Sequence, residues 1–188
     1  YGINTRYRYE FREVGLESES IFLNGSVSHA LSPISSLYLS VGTQYKLVDG
    51  TGDIYPDVSF SYNRELAEGL SARAYVTYSN ENVMSNLKAA ADDYRSVETL
   101  RAGLSLNYVY TPRVSFSFRF AFNKSEYDEA VKGSEGYDRV YWSAGAGMRY
   151  KLTEQTALSV DYTYYSGDSH ADEEYQRNVV SAGVNYTF

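Results

Sequence analysis

The chain of 188 residues has no cysteine, three prolines, two methionines and one tryptophan. The missing cysteine excludes a disulfide scaffold and fits an exported chain that needs no cross-link. No apolar run approaches the roughly twenty residues of a membrane-spanning helix, and the mean hydropathy is −0.44. A transmembrane helix is therefore excluded. A transmembrane β-barrel is not, because it shows lipid only every second residue and its average hydropathy stays in the middle of the scale. A net charge of −7 argues against non-specific nucleic-acid binding, so no nucleic-acid partner is expected. Tyr1 opens directly in strand-like sequence. Either a leader has been removed, or residues 1–188 are cut from a longer precursor.

What the chain does have is tyrosine (21) and phenylalanine (8), with Ser, Gly, Asn and Thr throughout. These are arranged in one pattern, repeated ten times: alternation of apolar and polar residues over about nine to eleven positions, then a break. Ile3, Thr5, Tyr7, Tyr9 and Phe11 share one face, while Asn4, Arg6, Arg8 and Glu10 share the other. Leu100, Ala102, Leu104, Leu106 and Tyr108 oppose Arg101, Gly103, Ser105 and Asn107. Val114, Phe116, Phe118, Phe120 and Phe122 oppose Ser115, Ser117 and Arg119. A soluble sandwich also alternates, but its strands average about five to six residues. Nine to eleven is the length that a tilted strand needs to cross hydrocarbon.

The connections alternate between short and long. Short ones fall at Ser32–Ser36, Ala67–Gly69, Thr111–Arg113 and Thr153–Gln155; long ones at 12–19, 48–55, 80–96, 124–137 and 166–174. Short periplasmic turns alternating with long extracellular loops characterise outer-membrane barrels. The long segments hold most of the acidic residues, including Glu17, Asp92, Asp93, Glu135 and Asp172. Aromatics collect near both strand ends, where the ring tolerates lipid and the tyrosine hydroxyl reaches water. The expected fold is all-β: one domain over 1–188, a transmembrane antiparallel up-and-down β-barrel of about ten strands with both termini periplasmic.

This pattern resembles a Gram-negative outer-membrane β-barrel, and the repeats "YNRELAEGLSARAYVTY" and "YKLTEQTALSVDYTYY" are similar to those of β-barrel porin families. The resemblance implies a location in the bacterial outer membrane, with the lipid bilayer and the outer-membrane assembly machinery as partners. In such barrels the last strand ends on an aromatic after alternating apolar residues, and the assembly machinery reads that strand. Val180, Ala182, Val184, Tyr186 and Phe188 match. A barrel also leaves no edge in lipid, so this last strand is expected to pair with Ile3–Phe11.

The inward set of the alternation holds Arg6, Arg8, Lys46, Arg73, Arg101, Arg119 and Arg149 against Glu10, Asp57 and Asp161. A basic lumen under acidic loops favours anions in a small porin-like channel for ions or small solutes. The competing reading is an internal ion-pair network that fills a non-conducting structural or adhesive barrel, or one component of a larger envelope complex. Inward Gly42, Gly103, Gly145, Gly147 and Gly183 either leave space or permit curvature.

Ten strands is also the strand number of the omptin proteases, which use an aspartate pair and an Asp-x-His pair. Asp168-Ser-His170 has the second spacing, but Asp92 and Asp93 are adjacent and His29 lies by a short turn. An enzyme is not expected, nor is a cofactor. Asp49-Gly-Thr-Gly-Asp53 lacks the remaining ligands of a calcium loop and reads as a turn. Residues 84–98 read as a loop, with a short helix as the alternative.

Overall fold

A computed structural model describes residues 2–10, 18–48, 51–81, 94–129, 137–169 and 174–187. They form ten strands: β1 (Gly2–Glu10), β2 (Ser18–Ser32), β3 (Ser35–Val48), β4 (Thr51–Ala67), β5 (Leu70–Glu81), β6 (Tyr94–Thr111), β7 (Val114–Glu129), β8 (Tyr137–Lys151), β9 (Thr156–Ser169) and β10 (Tyr175–Tyr186). Each pairs antiparallel with its neighbours in sequence, in one ten-stranded up-and-down sheet. β-Branched and aromatic residues at alternate positions favour this pleated, half-covered state.

The short turns hold the register through a recurring device. Ser32 and Ser35, Ala67 and Leu70, and Thr111 and Val114 each flank a two-residue turn, and each pairing shifts by a bulge just before it. Thr111 Oγ1 accepts hydrogen bonds from the amides of Arg113 (3.3 Å) and Val114 (3.0 Å), and Thr153 Oγ1 does the same for Gln155 (3.2 Å) and Thr156 (2.9 Å). A hydroxyl that takes up amides at a chain reversal lets the ladder end without unpaired donors. At Gly69 the backbone turns left-handed, with φ of 73°, a region that costs a residue with a Cβ about 1–2 kcal/mol.

All four short turns stand where the alternation breaks, but apart from β1, with 9 residues, the strands run longer than the pattern, from 12 residues in β5 and β10 to 18 in β6. They extend into every segment read as a long connection. β6 begins at Tyr94, so residues 94–98 are strand rather than helix or loop, and 84–93 fall outside the described residues. Thr51–Asp53 belong to β4, whereas Asp49 and Gly50 lie outside the described residues. The physical reason is that alternation is enforced only where one face meets hydrocarbon. Beyond that band the ladder continues with polar side chains on both faces, as in Asn123–Glu126 of β7.

Paired residues share a face, and the register sorts the sheet into two. On the apolar face run the rows Leu106–Phe118–Ala146–Tyr162–Val180 and Leu104–Phe120–Ala144–Tyr164. Bulky Phe118 and Phe120 each face an alanine on β8, so large and small side chains interlock across the strands. Towards the long connections the Trp142 ring lies 6.3 Å from Phe120 and 5.3 Å from Tyr164, and towards the short turns Tyr108 and Tyr110 are 6.2 Å apart. These are the two aromatic girdles of a membrane barrel. Leu23, Val41, Phe118 and Val160 are all about half exposed. Exposed apolar area on this scale is foreign to a soluble monomer and belongs against lipid.

Two expectations need correction. Among the described residues β1 and β10 are not paired with each other: they are the two edges of an open sheet. Of the inward glycines, Gly42, Gly103 and Gly147 do not leave open space, whereas a Cβ on Gly183 would meet only Ser159 Oγ, at 3.3 Å. A Cβ on Gly42 would fall 2.6 Å from Asn24 Cα and closer still to Leu23 O, and one on Gly103 would meet the Tyr75 ring at 2.5–2.6 Å. At Gly42, Gly103 and Gly147 the neighbouring strands have already filled the position that the glycine vacates.

Candidate functional site: the polar face of the sheet

Register alone places every candidate charge on the second face. On β1, Arg6 stands opposite Phe22, and the backbone alignment continues through Arg8 opposite Ser20 and Glu10 opposite Ser18. Ser20 in turn faces Lys46, and Gly42 faces Asp57. Arg73 faces Asn63 and Ser105, Arg101 faces Thr77 and Asn123, and Arg119 faces Ser105 and Gly145. Arg149 faces Ser159, and Asp161 faces Gly147.

The charges interact over the tops of intervening strands. Arg119 Nη2 donates to Asp161 Oδ1 at 2.7 Å, from β7 to β9. Between them on β8 sits Gly147, where a Cβ would strike Asp161 Oδ1 and come within 2.8 Å of Ser117 Oγ. Asn24 Nδ2 donates to Asp57 Oδ2 at 3.0 Å, from β2 to β4 across Gly42 of β3. Both links use a glycine as the gap through which side chains two strands apart can meet. Arg6 places its guanidinium carbon 4.1 Å from the centre of the Phe22 ring, a cation–π contact.

Arg101 forms a two-pronged ion pair with Glu81, one arm at 2.6 Å. Glu81 is a site residue that the sequence reading left in a loop. The signal for it was present, because it continues the series Arg73, Tyr75, Thr77, Ser79 at every second position of β5. The planar guanidinium matches the carboxylate fork, so this pair is oriented as well as charged. With Glu81 added, the face is less basic than its arginines suggest. Arg73 and Arg149 are exposed and have no ion pair among the described residues.

The face differs between its two ends. Towards the long connections Ser20, Gln44, Lys46, Thr99, Asn123 and Ser125 are buried. Lys46, 1 % exposed, donates from Nζ to Asn80 Oδ1 (2.9 Å) and to the Glu81 carbonyl (3.2 Å). Strict alternation puts Asn80 on the apolar side with Tyr78. It is buried because β4 and β5 stop pairing at Val58–Tyr78, and Asn80 and Lys46 meet where the two strands part. Pro56, which has no N–H, stands opposite Thr43 of β3 in a stretch of β4 that has no partner on the β5 side. Towards the short turns Arg73, Asn107 and Arg149 are exposed. Ser40, Ser61 and Ala157 in that half are buried as well, so the two ends differ in where the exposed charges stand: Arg73 and Arg149 lie towards the short turns.

Outside the apolar band, Lys124 pairs with Glu126 and, at 3.5 Å, with Asp138. The hydrogen bond that Lys124 Nζ donates to Glu126 holds the ammonium above the usual lysine range. Among the described residues no group of His, Asp and Glu could hold a metal ion. Asp168 is exposed on β9 opposite Val140, while Asp92, Asp93 and His170 lie outside the described residues. Val180, Ala182, Val184 and Tyr186 line the apolar side of β10, and Phe188 lies outside the described residues.

Comparison with known proteins agrees with this geometry. Among solved structures, the sheet is similar to the outer membrane channel DcaP of Acinetobacter baumannii, with a TM-score of 0.71 at 11 % identity over 99 % of this chain and 62 % of that one. It is also similar to the NanC porin, with a TM-score of 0.52 at 11 % identity over 97 % of this chain and 91 % of that one. The chain thus spans less than two thirds of the length of DcaP. No curated protein matches by sequence. The family model described as the outer membrane protein beta-barrel domain matches residues 1–188. With a lipid-facing row on one side, a hydrogen-bonded polar face on the other and girdles at both ends, the chain belongs to this family of bacterial outer-membrane β-barrels.

Proposed function

We propose that the barrel is a porin-like channel for ions or small solutes, with its polar face as the lining of the path. The observation that carries this reading is the asymmetry of that face. A barrel filled as a solid core needs its inward side chains packed along the whole length, but here Arg73, Asn107 and Arg149 stand open towards the short turns. Solutes meet the packed belt around Gln44, Lys46, Thr99 and Asn123 as the selective section, and the end with the exposed arginines as a vestibule. The paired charges Arg101–Glu81 and Arg119–Asp161 keep the wall polar without a large local field. The unpaired arginines tilt it towards anions. The apolar row of β10 serves the assembly machinery as its recognition strand.

Single-channel recording in planar bilayers tests this. Discrete openings are expected, with a mild anion preference. The double variant Arg73→Glu/Arg149→Glu moves the reversal potential in a salt gradient towards the cation value, with little change in conductance. A purified, folded barrel that gives no openings at any voltage contradicts the channel reading and leaves a structural or adhesive barrel.

A further inference from the structure

Between β4 and β5 the ladder stops short. Its last pair towards the long connections is Val58–Tyr78, yet both strands run on. Thr51–Asp57 of β4 keep their pairing with β3, and Ser79–Glu81 of β5 keep theirs with β6. The wall therefore divides there along a seam, with β3 and β4 on one side and β5 and β6 on the other. Had the register run on, Pro56 would face Asn80, and a proline has no N–H to give such a ladder.

Lys46 crosses this seam. It belongs to β3, which is no neighbour of β5, and its side chain passes β4 to donate to Asn80 Oδ1 at 2.9 Å and to the Glu81 carbonyl at 3.2 Å. The Glu81 carboxylate is held in turn by Arg101 of β6, so the link runs from β3 through β5 to β6. Two other contacts on this face also reach over a strand, Asn24 to Asp57 and Arg119 to Asp161. The strands that they cross are paired on both sides. Lys46 alone of the three crosses a strand whose ladder to the next is missing. Among the described residues it is also the one buried side chain that carries a charge. Burying an ammonium is costly unless its hydrogen bonds are made. Packing alone would be served by an apolar side chain of similar length, such as methionine.

We infer that Lys46 is a latch. Its ammonium holds the seam between β4 and β5 closed, and loss of that group lets the paired ends of β3 and β4 part from β5 while the rest of the wall keeps its ladder. The latch operates whether or not the barrel conducts.

Spin-label distances in bilayers test this, and the absence of cysteine from the chain lets labels be placed freely. Ile54→Cys/Asp168→Cys, both at exposed positions, reads across the seam. Ile21→Cys/Ile54→Cys, in one row through Tyr45, reads the β2–β4 side alone. In Lys46→Met the first distance should become longer and its distribution broader, while the second stays as in the parent. Should Lys46→Met fail to fold, Asn80→Ala decides in its place, since it removes the Oδ1 acceptor and leaves the lysine. A cross-seam distribution unchanged from the parent overturns the latch. So does equal broadening of both pairs, which would make Lys46 a buried filler whose loss loosens the whole wall.

Discussion

Phe118→Arg is expected to destabilise the folded barrel strongly, while Ser117→Arg, one residue away, leaves its stability close to that of the parent. Phe118 is 53 % exposed on the apolar face, in the row with Leu106 and Ala146 near the middle of the band. An arginine facing lipid at the midplane costs about 2–4 kcal/mol. That is a large part of the roughly 5–15 kcal/mol by which a folded domain is stable. Ser117 sits between Asn107 and Gly147 on the polar face, near Arg119 and Asp161. There a guanidinium has water and a carboxylate to meet. The shift between folded and unfolded bands on unboiled gels, with a urea titration of each variant in lipid, reads the difference. Equal losses at the two positions would mean that the faces are assigned one residue out of register.

The second large effect concerns the spaces between polar side chains. Gly42→Val is expected to destabilise the barrel by about 1–3 kcal/mol, the usual cost of overpacking, because the added Cβ meets the backbone of Leu23 and Asn24. Backbone in a paired strand cannot step aside as a side-chain tip can. The same variant separates Asn24 from Asp57, which meet across this glycine. Gly25→Ala is the contrast, since there the nearest atom, Val41 O, is 3.9 Å away, at ordinary contact distance. Its urea midpoint in lipid should stay within error of the parent. If Gly42→Val also kept the parent midpoint, the glycine would be a spacer with room to spare, one of the two readings the sequence left open.

The fold was legible because lipid imposes a strict rule on it. Every second residue of Val114–Phe122 must be apolar, so the strand, its face and its depth could be read from letters alone. Where the rule lapses, so did the reading: β6 starts at Tyr94 in a stretch where neither face is apolar, and Asn80 leaves the alternation because β4 departs from β5 beside it. The candidate site divides in the same way. Which arginines share a face follows from parity. Which carboxylate each one finds depends on shear between strands, so Arg119–Asp161 and Arg101–Glu81 were not foreseeable as pairs. Phe22 was missed for a different reason. It is apolar but inward, and it earns its buried place from the Arg6 guanidinium above it.

The most direct measurement is a scan of single cysteines through 115–122 of β7, each carrying an environment-sensitive fluorophore, in bilayers. Brominated lipid should quench Phe116, Phe118, Phe120 and Phe122 positions, while aqueous iodide should quench Ser115, Ser117, Arg119 and Ala121 positions, in strict alternation. Quenching by iodide at all eight, or a period other than two, would contradict a barrel wall with lipid on one side and water on the other.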